Sequence, residues 1–414
     1  MPPPPRENLE QMFLKSVDDY IKDKNCCIDK KVRDIIERNG IENSLICILG
    51  ATGSESCFSQ TLFDAMKSKG ISDSIIAAVD DFQYMKGRDF NGVEIISGDK
   101  LVELHKKHKG KIFAINTLRY DYARRIFENL CLSHEIPYIN FEQAIRIFEL
   151  NGHVDYRTSD WGDTISAHPE KYVQLANRFA DSHSAVTLFH VLLMHLHCNL
   201  EWTLNVAKPY STLYFRSGLF HLGKDEKMVD CGASIGESTY ALIDITKGQF
   251  AKSWMLEPDR YNIKTLQQFV NQFRHRDFHK NLFIYNYAIG ETSGRIPFCH
   301  VGGHDGNIIE NNNDSMPVSE DAFVDMKPID DLFRNDSPTI IKMDIEGSEL
   351  SALKGAKNVI ERCHPKLMVS VYHRDTDLIS IPDFITQLVP EYNLGLRHHT
   401  ENRWDTCLYA WKDN

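Results

Sequence analysis

The sequence contains no apolar run near the ~20 residues that a membrane span requires. Its longest candidate, AVTLFHVLLMHLHC at 185–198, is too short and is interrupted by histidines. The N-terminal MPPPPRENLE has no apolar segment behind it, so no secretory signal is expected. Positive charge is also scarce: 47 Lys and Arg stand against 58 Asp and Glu, a net charge of −11. Gripping nucleic acid phosphates needs a basic surface, so nucleic acid is not an expected partner. The 10 cysteines contain no CxxC pair and, apart from adjacent Cys26 and Cys27, are scattered. Free thiols in a reducing, cytoplasmic setting are the expectation.

What is present is an alternation of strand and helix patterns. A chain of 414 residues is too long for one ordinary core and implies more than one domain. Residues 1–40 read as short helices, and 41–150 alternate SLICILG, SIIAAVDD, GVEIIS and KIFAINT with helical stretches. This is the pattern of a small Rossmann-like α/β domain. The rhythm stops at 151–207, read as a helical connector, and resumes over 208–414 with KMVDCG, KSWMLEPD, LFIYNYAIG, PTIIKMDIEG and LMVSVYH. YNLGLRHH and TCLYAW close the chain as a terminal strand pair. The expected architecture is two α/β domains, and the first domain or the connector offers a surface for homo-oligomer formation.

Each domain carries a glycine turn after a strand: ILGATGSES from Ile48 and VDCGASIGES from Val229. Such turns bring backbone close to a nucleotide and expose a helix N-terminus. Around the second turn the strand ends carry further chemistry. Asp230, Gly232, Ala233 and Gly236 form the turn, and Glu257 closes the next strand, where an acid can accept both ribose hydroxyls. Asn286 to Ala288 end another strand, suited to an adenine edge. Lys342, Asp344, Glu346 and Glu349 crowd a fourth. Ligands of open parallel sheets bind at the carboxyl ends of strands, so these segments converge on one crevice.

VDCGASIGES, LEPD, IDDLF and IKMDIEGSELSALKGA, in this order, resemble the FkbM family of S-adenosylmethionine-dependent methyltransferases, as does the C-terminal stretch from SVYH to RHH. The resemblance covers about Tyr210 to Trp411. It implies a class I methyltransferase sheet with an antiparallel terminal strand, S-adenosylmethionine as cofactor, and O-methylation of a sugar, glycan or glycosylated natural product. It further implies that Asp230, Gly232 and Gly236 cradle the methionine part, that Glu257 holds the ribose, that Asn286 and Ala288 lie near adenine, and that Asp344 stands beside the methyl group. His373, closing LMVSVYH, suits a general base near neutral pH. Asp344 is the alternative base or acceptor holder, and Glu346 orients either.

Plainer roles compete. Asp230 could cap a helix, Glu257 could be solvated, Glu346 and Glu349 could complement a helix dipole, and His373 could be an ordinary histidine. No recognised metal spacing occurs, so no metal is expected; a metal-assisted variant would draw on Asp344 with His373, Asp375 or Asp377. His183, His190 and His197 share one helical stripe and read as packed or interfacial. The first turn, followed by Asp80-Asp81, could serve a nucleotide-sugar reductase or epimerase. The Tyr-x-x-x-Lys pair of such enzymes occurs only at Tyr20–Lys24, upstream of the turn. The remaining alternative is a cofactor-binding protein without catalysis. Nucleic acid methylation motifs (Asn/Asp-Pro-Pro-Tyr, Pro-Cys) are absent.

Overall fold

The computed structural model describes residues 6–51, 57–82, 85, 87–303, 306–308 and 322–413, apart from the side chains of Asp121 and Asn307. Most of the GATGSES turn and all of the NNNDS run at 311–315 lie outside these residues. The chain divides into two compact units. One comprises Glu7–Pro169 with Val191–Trp202, and the other is built mainly from Glu170–His190 and Thr203–Asn414.

The first unit holds a six-stranded sheet of β1 (Leu45–Leu49), β2 (Ile75–Val79), β3 (Asp89–Phe90), β4 (Val93–Ile96), β5 (Ile112–Asn116) and β6 (Tyr138–Asn140), in the order β3-β4-β2-β1-β5-β6. All neighbours are parallel except β3 and β4. Successive side chains of β1 feed opposite faces, which explains the unbroken apolar run: Ile46 and Ile48 join one core, Cys47 and Leu49 the other. Buried Arg146 ties this unit together. It forms a two-pronged pair with Asp160 (2.6 and 2.7 Å) and donates to the carbonyls of His195 (2.8 Å) and Leu196 (2.6 Å). Asp80, at the end of β2, accepts from the N–H groups of Ala51 and Phe82. His190, His183 and His197 lie on the helix Ser182–His197; His190 is fully buried, and the ring of His197 bonds Ser16.

The second unit carries β7 (Ala207–Lys208), β8 (Lys227–Cys231), β9 (Lys252–Leu256), β10 (Leu282–Tyr285), β11 (Ala288–Ile289), β12 (Gly294–Cys299), β13 (Asn307–Ile308), β14 (Phe323–Lys327), β15 (Ile340–Met343), β16 (Lys366–Ser370), β17 (Asn393–His399) and β18 (Thr406–Trp411). Eight of these form a sheet ordered β10-β9-β8-β15-β16-β18-β17-β7. Its strands are parallel through β16, and β18 runs antiparallel between β16 and β17. This is the class I arrangement with an antiparallel terminal strand. Register sets the site: Asp230 pairs with Lys342, and Cys231 with both Leu256 and Met343, so the carboxyl ends of β8, β9 and β15 finish level.

LFIYNYAIG, read as one strand, is two. Asn286 turns its amide onto the carbonyls of Glu257 (2.8 Å) and Pro258 (3.1 Å), which ends the ladder. β11 then joins a separate four-stranded sheet ordered β11-β14-β12-β13. Short strands with few apolar residues give little periodic signal, which is why this sheet is not visible in the sequence pattern.

Candidate active site

The glycine turn after β8 is shaped by close approach. Gly232 has φ +74°, and a Cβ there would sit 1.9 Å from the carbonyl oxygen of Asp344. Ser234 (φ +47°) and Gly236 (φ +108°) are also left-handed, which winds the chain tightly into the helix Glu237–Thr246. The N–H groups of Gly232 and Ala233 donate to the Leu256 carbonyl at 3.0 and 3.2 Å. Gly232→Ala combines a forbidden contact with an unfavourable backbone and is expected to cost about 3–5 kcal/mol. Gly303→Ala, also at positive φ but with nothing within 4 Å, is the control. Urea unfolding of both variants checks this; equal losses would remove the steric argument.

Asp230 lies beneath this turn and has no face open to a ligand. It is 0 % exposed. Its Oδ2 accepts from Ser238 (2.5 Å) and Thr239 (3.0 Å), and its Oδ1 faces Lys342 Nζ at 3.3 Å. Lys342 also donates to the Gly232 carbonyl at 2.7 Å. Burial alone would lower the lysine's pKa, but Asp230 and Asp344 outweigh it and raise it. The expected cradle residue thus holds the turn's shape from within, together with a lysine.

Glu257, one residue past β9, is 5 % exposed. Its Oε2 accepts from the Ser234 N–H (2.7 Å) and its Oε1 from the Asp259 N–H (2.9 Å), so it links the turn to its own strand end. Burial pushes it up to about 7, against these donors and the Asn262 amide, which favour the carboxylate. A carboxylate has about four lone-pair directions, so acceptor capacity remains. Beside it, Asp259 Oδ2 accepts from the N–H groups of Val301 and Gly302, both at 3.0 Å, and the Asn262 amide exchanges two hydrogen bonds with Gly303. Neither Asp259 nor Asn262 stood out in the sequence, although the LEPD motif contains the first. Ala288 is separated from this group: its side chain packs with Phe298 and Val324 in the small sheet.

The third group surrounds Asp344, immediately after β15. Tyr214 donates to its Oδ2 at 2.9 Å and Tyr372 to its Oδ1 at 3.0 Å. Burial would raise its pKa, but the charges of Lys342 and His373 and hydrogen bonds from Ser370 and Tyr214 hold it below the usual carboxylate range. His373 lies behind it, with Glu349 Oε1 3.0 Å from Nδ1 and Asp344 and Glu346 each 3.6 Å from Nε2. Burial would lower its pKa, but Glu349, Glu346 and Asp344 push it up to about 10. Side-chain exposure is 1 % for His373 against 24 % for Asp344. The histidine expected to act as base therefore has no open side, and the carboxylate in front of it does. Glu349 is fully buried and accepts from the Ile345 N–H at 2.8 Å, more than a dipole-complementing surface acid would do.

A family model described as the Methyltransferase FkbM domain matches residues 230–394. Over 98 % of this chain and 100 % of the other, the structure is similar to the crystal structure of Methyltransferase FkbM from Methylobacillus flagellatus KT, with 42 % identity and a TM-score of 0.87. The chain belongs to the FkbM methyltransferase family. Another solved structure, an rRNA methylase from Streptococcus thermophilus, is 12 % identical with a TM-score of 0.30 over 47 % of this chain and 90 % of that one, too distant to bear on function. No curated protein matches. In this FkbM methyltransferase the matched span contains the turn, Glu257, Asp344 and His373, whereas Tyr214 lies outside it. No helix among the described residues is long and apolar enough to cross a membrane.

Proposed function

We propose that this FkbM methyltransferase moves a methyl group from S-adenosylmethionine to a hydroxyl oxygen of a sugar, glycan or glycosylated natural product. The observation that carries this reading is the half-open carboxylate of Asp344, held by Tyr214 and Tyr372 directly beside the glycine turn. The cofactor would supply an electrophilic methyl group on a positively charged sulfur. The chain's residues fit it: Gly232 to Gly236 form the tight turn for the methionine part, and the buried Glu257 offers acceptor positions to the ribose hydroxyls. Asn286 shapes the adenine side by fixing the backbone of Glu257 and Pro258.

Asp344 is the group that meets the acceptor hydroxyl. Fixed by two tyrosine hydroxyls, it aligns the oxygen, and such positioning supplies up to ~7–11 kcal/mol of a barrier. A carboxylate of low pKa is a weak base at the start. It suffices because the hydroxyl proton becomes strongly acidic as the new C–O bond forms. His373, Glu346 and Glu349 position Asp344 from behind. Calorimetry of the full chain with S-adenosylmethionine, followed by product analysis against a panel of sugar nucleotides and glycans, tests the reading. Absence of cofactor binding overturns it.

Glu257 makes binding pH-dependent. If its carboxylate accepts the ribose hydroxyls, cofactor affinity falls as pH drops through about 7, approaching tenfold per pH unit below that. Stability of the empty enzyme runs the other way. A carboxyl raised from 4.5 to about 7 contributes stability that is full below its unfolded value and lost as pH rises through 7, on the order of 3 kcal/mol. Calorimetry from pH 5.5 to 8.5 should show a slope in wild type and a flat, weaker profile in Glu257→Gln. A flat wild-type profile would take Glu257 out of the binding site.

A further inference from the structure

Asp344, Glu346 and Glu349 converge on the single imidazole of His373. Glu349 is 0 % and His373 1 % exposed; Nδ1 of His373 meets Glu349 Oε1 at 3.0 Å, yet Oε2 of Glu349 and Nε2 of His373 have no hydrogen-bond partner. Buried polar atoms are nearly always bonded, and a buried carboxylate oxygen without a donor is costly. Lys342 hydrogen-bonds the Gly232 carbonyl and pairs with Asp230, and it reaches Asp344 through its charge alone; Arg374 Nε donates to the Gly347 carbonyl at 2.6 Å. Asp377, also buried, adds a further carboxyl beside Glu349. Around this imidazole the carboxyls of Asp344, Glu346, Glu349 and Asp377 gather, and Glu349 Oε2 stays without a donor. Asp344, Glu349 and His373 each offer one ligand atom, and these atoms all lie within 4.8 Å of one another.

We propose that Asp344, Glu349 and His373 hold one divalent cation of the oxygen-preferring class, Mn²⁺ or Mg²⁺. Two carboxylates and one imidazole, with no thiolate, are donors suited to these ions. The ligands come from defined places in the fold: Asp344 directly follows β15, Glu349 opens the helix Glu349–Lys354, and His373 lies just past β16. Asp344 is the most exposed of the three, so a cation held there would be reached from its open side, where it would draw an oxygen of the acceptor. The cation's role in catalysis rests on the methyl-transfer reading above, whereas its binding does not.

The test uses the full chain, freed of metal by a chelator. Mn²⁺ is titrated while free ion is followed by electron paramagnetic resonance, and S-adenosylhomocysteine binding is measured separately by calorimetry. One Mn²⁺ per chain, displaced by Mg²⁺, is expected. Glu349→Gln keeps an acceptor for the Ile345 N–H and should weaken Mn²⁺ about 10–100-fold, with S-adenosylhomocysteine binding unchanged. Asp344→Asn should show the same loss, which guards against a folding defect in the first variant. Wild type that binds S-adenosylhomocysteine but not Mn²⁺, or variants that hold Mn²⁺ as wild type does, overturn the proposal. Mn²⁺ binding without S-adenosylhomocysteine binding upholds the cation site and overturns the cofactor reading instead.

Discussion

Asp344→Asn is expected to fold, to bind S-adenosylmethionine close to wild-type affinity, and to lose about 10²–10⁴-fold in kcat. The substitution preserves shape, so the hydroxyls of Tyr214 and Tyr372 keep a neighbour at 2.9 and 3.0 Å. What disappears is the charge, and with it the ability to take the acceptor's proton. The turn is untouched, since its contact with this residue is through the backbone carbonyl. Steady-state kinetics on the acceptor found by the panel, beside cofactor calorimetry, give the answer. A variant that loses cofactor affinity but keeps kcat would mean that Asp344 belongs to the cofactor side.

The second large effect concerns stability. Lys342→Met is expected to destabilise the protein by about 3–5 kcal/mol, because it strands the carboxylate of Asp230 in a fully buried position. Ser238 and Thr239 still donate to it, but neither carries charge. Adding Asp230→Asn should recover much of the loss, since removing both charges ends the uncompensated burial. Urea unfolding of the two single variants and the double variant gives the coupling. A cost below about 1 kcal/mol for Lys342→Met alone would show that water reaches the pair and that the lysine does not hold the turn.

The pattern of strands and glycine turns is legible because parallel strands buried on both faces leave short apolar runs, and because the motif residues sit where those runs stop. VDCG, LEPD and KMDIEG lead in the structure to the level ends of β8, β9 and β15. Local sequence does not reveal which side of the surface an acid occupies. Asp230 and Asp344 both follow apolar runs, yet register places the first under the turn opposite Lys342 and leaves the second half-open. Tyr214 and Tyr372 are 130 and 28 residues from Asp344, and no spacing rule links them to it. Glu349 illustrates the same limit: an acid in the first turn of a helix looks like a dipole partner, and only the packing of β16 against β15 turns it inward onto His373. The break at Asn286 could not be read either, because the side chain that causes it bonds a carbonyl 29 residues away.

The threading of the chain between its two compact units bears on how such a protein can be inherited. Residues 7–169 build one unit, 170–190 belong to the other, 191–202 return to the first, and the chain then completes the second. A single crossover anywhere from 169 to 203 deprives at least one unit of part of its own fold. A chain that exchanges one half for another domain at such a point is therefore expected to lack part of one unit, which a truncation series followed by urea unfolding would show.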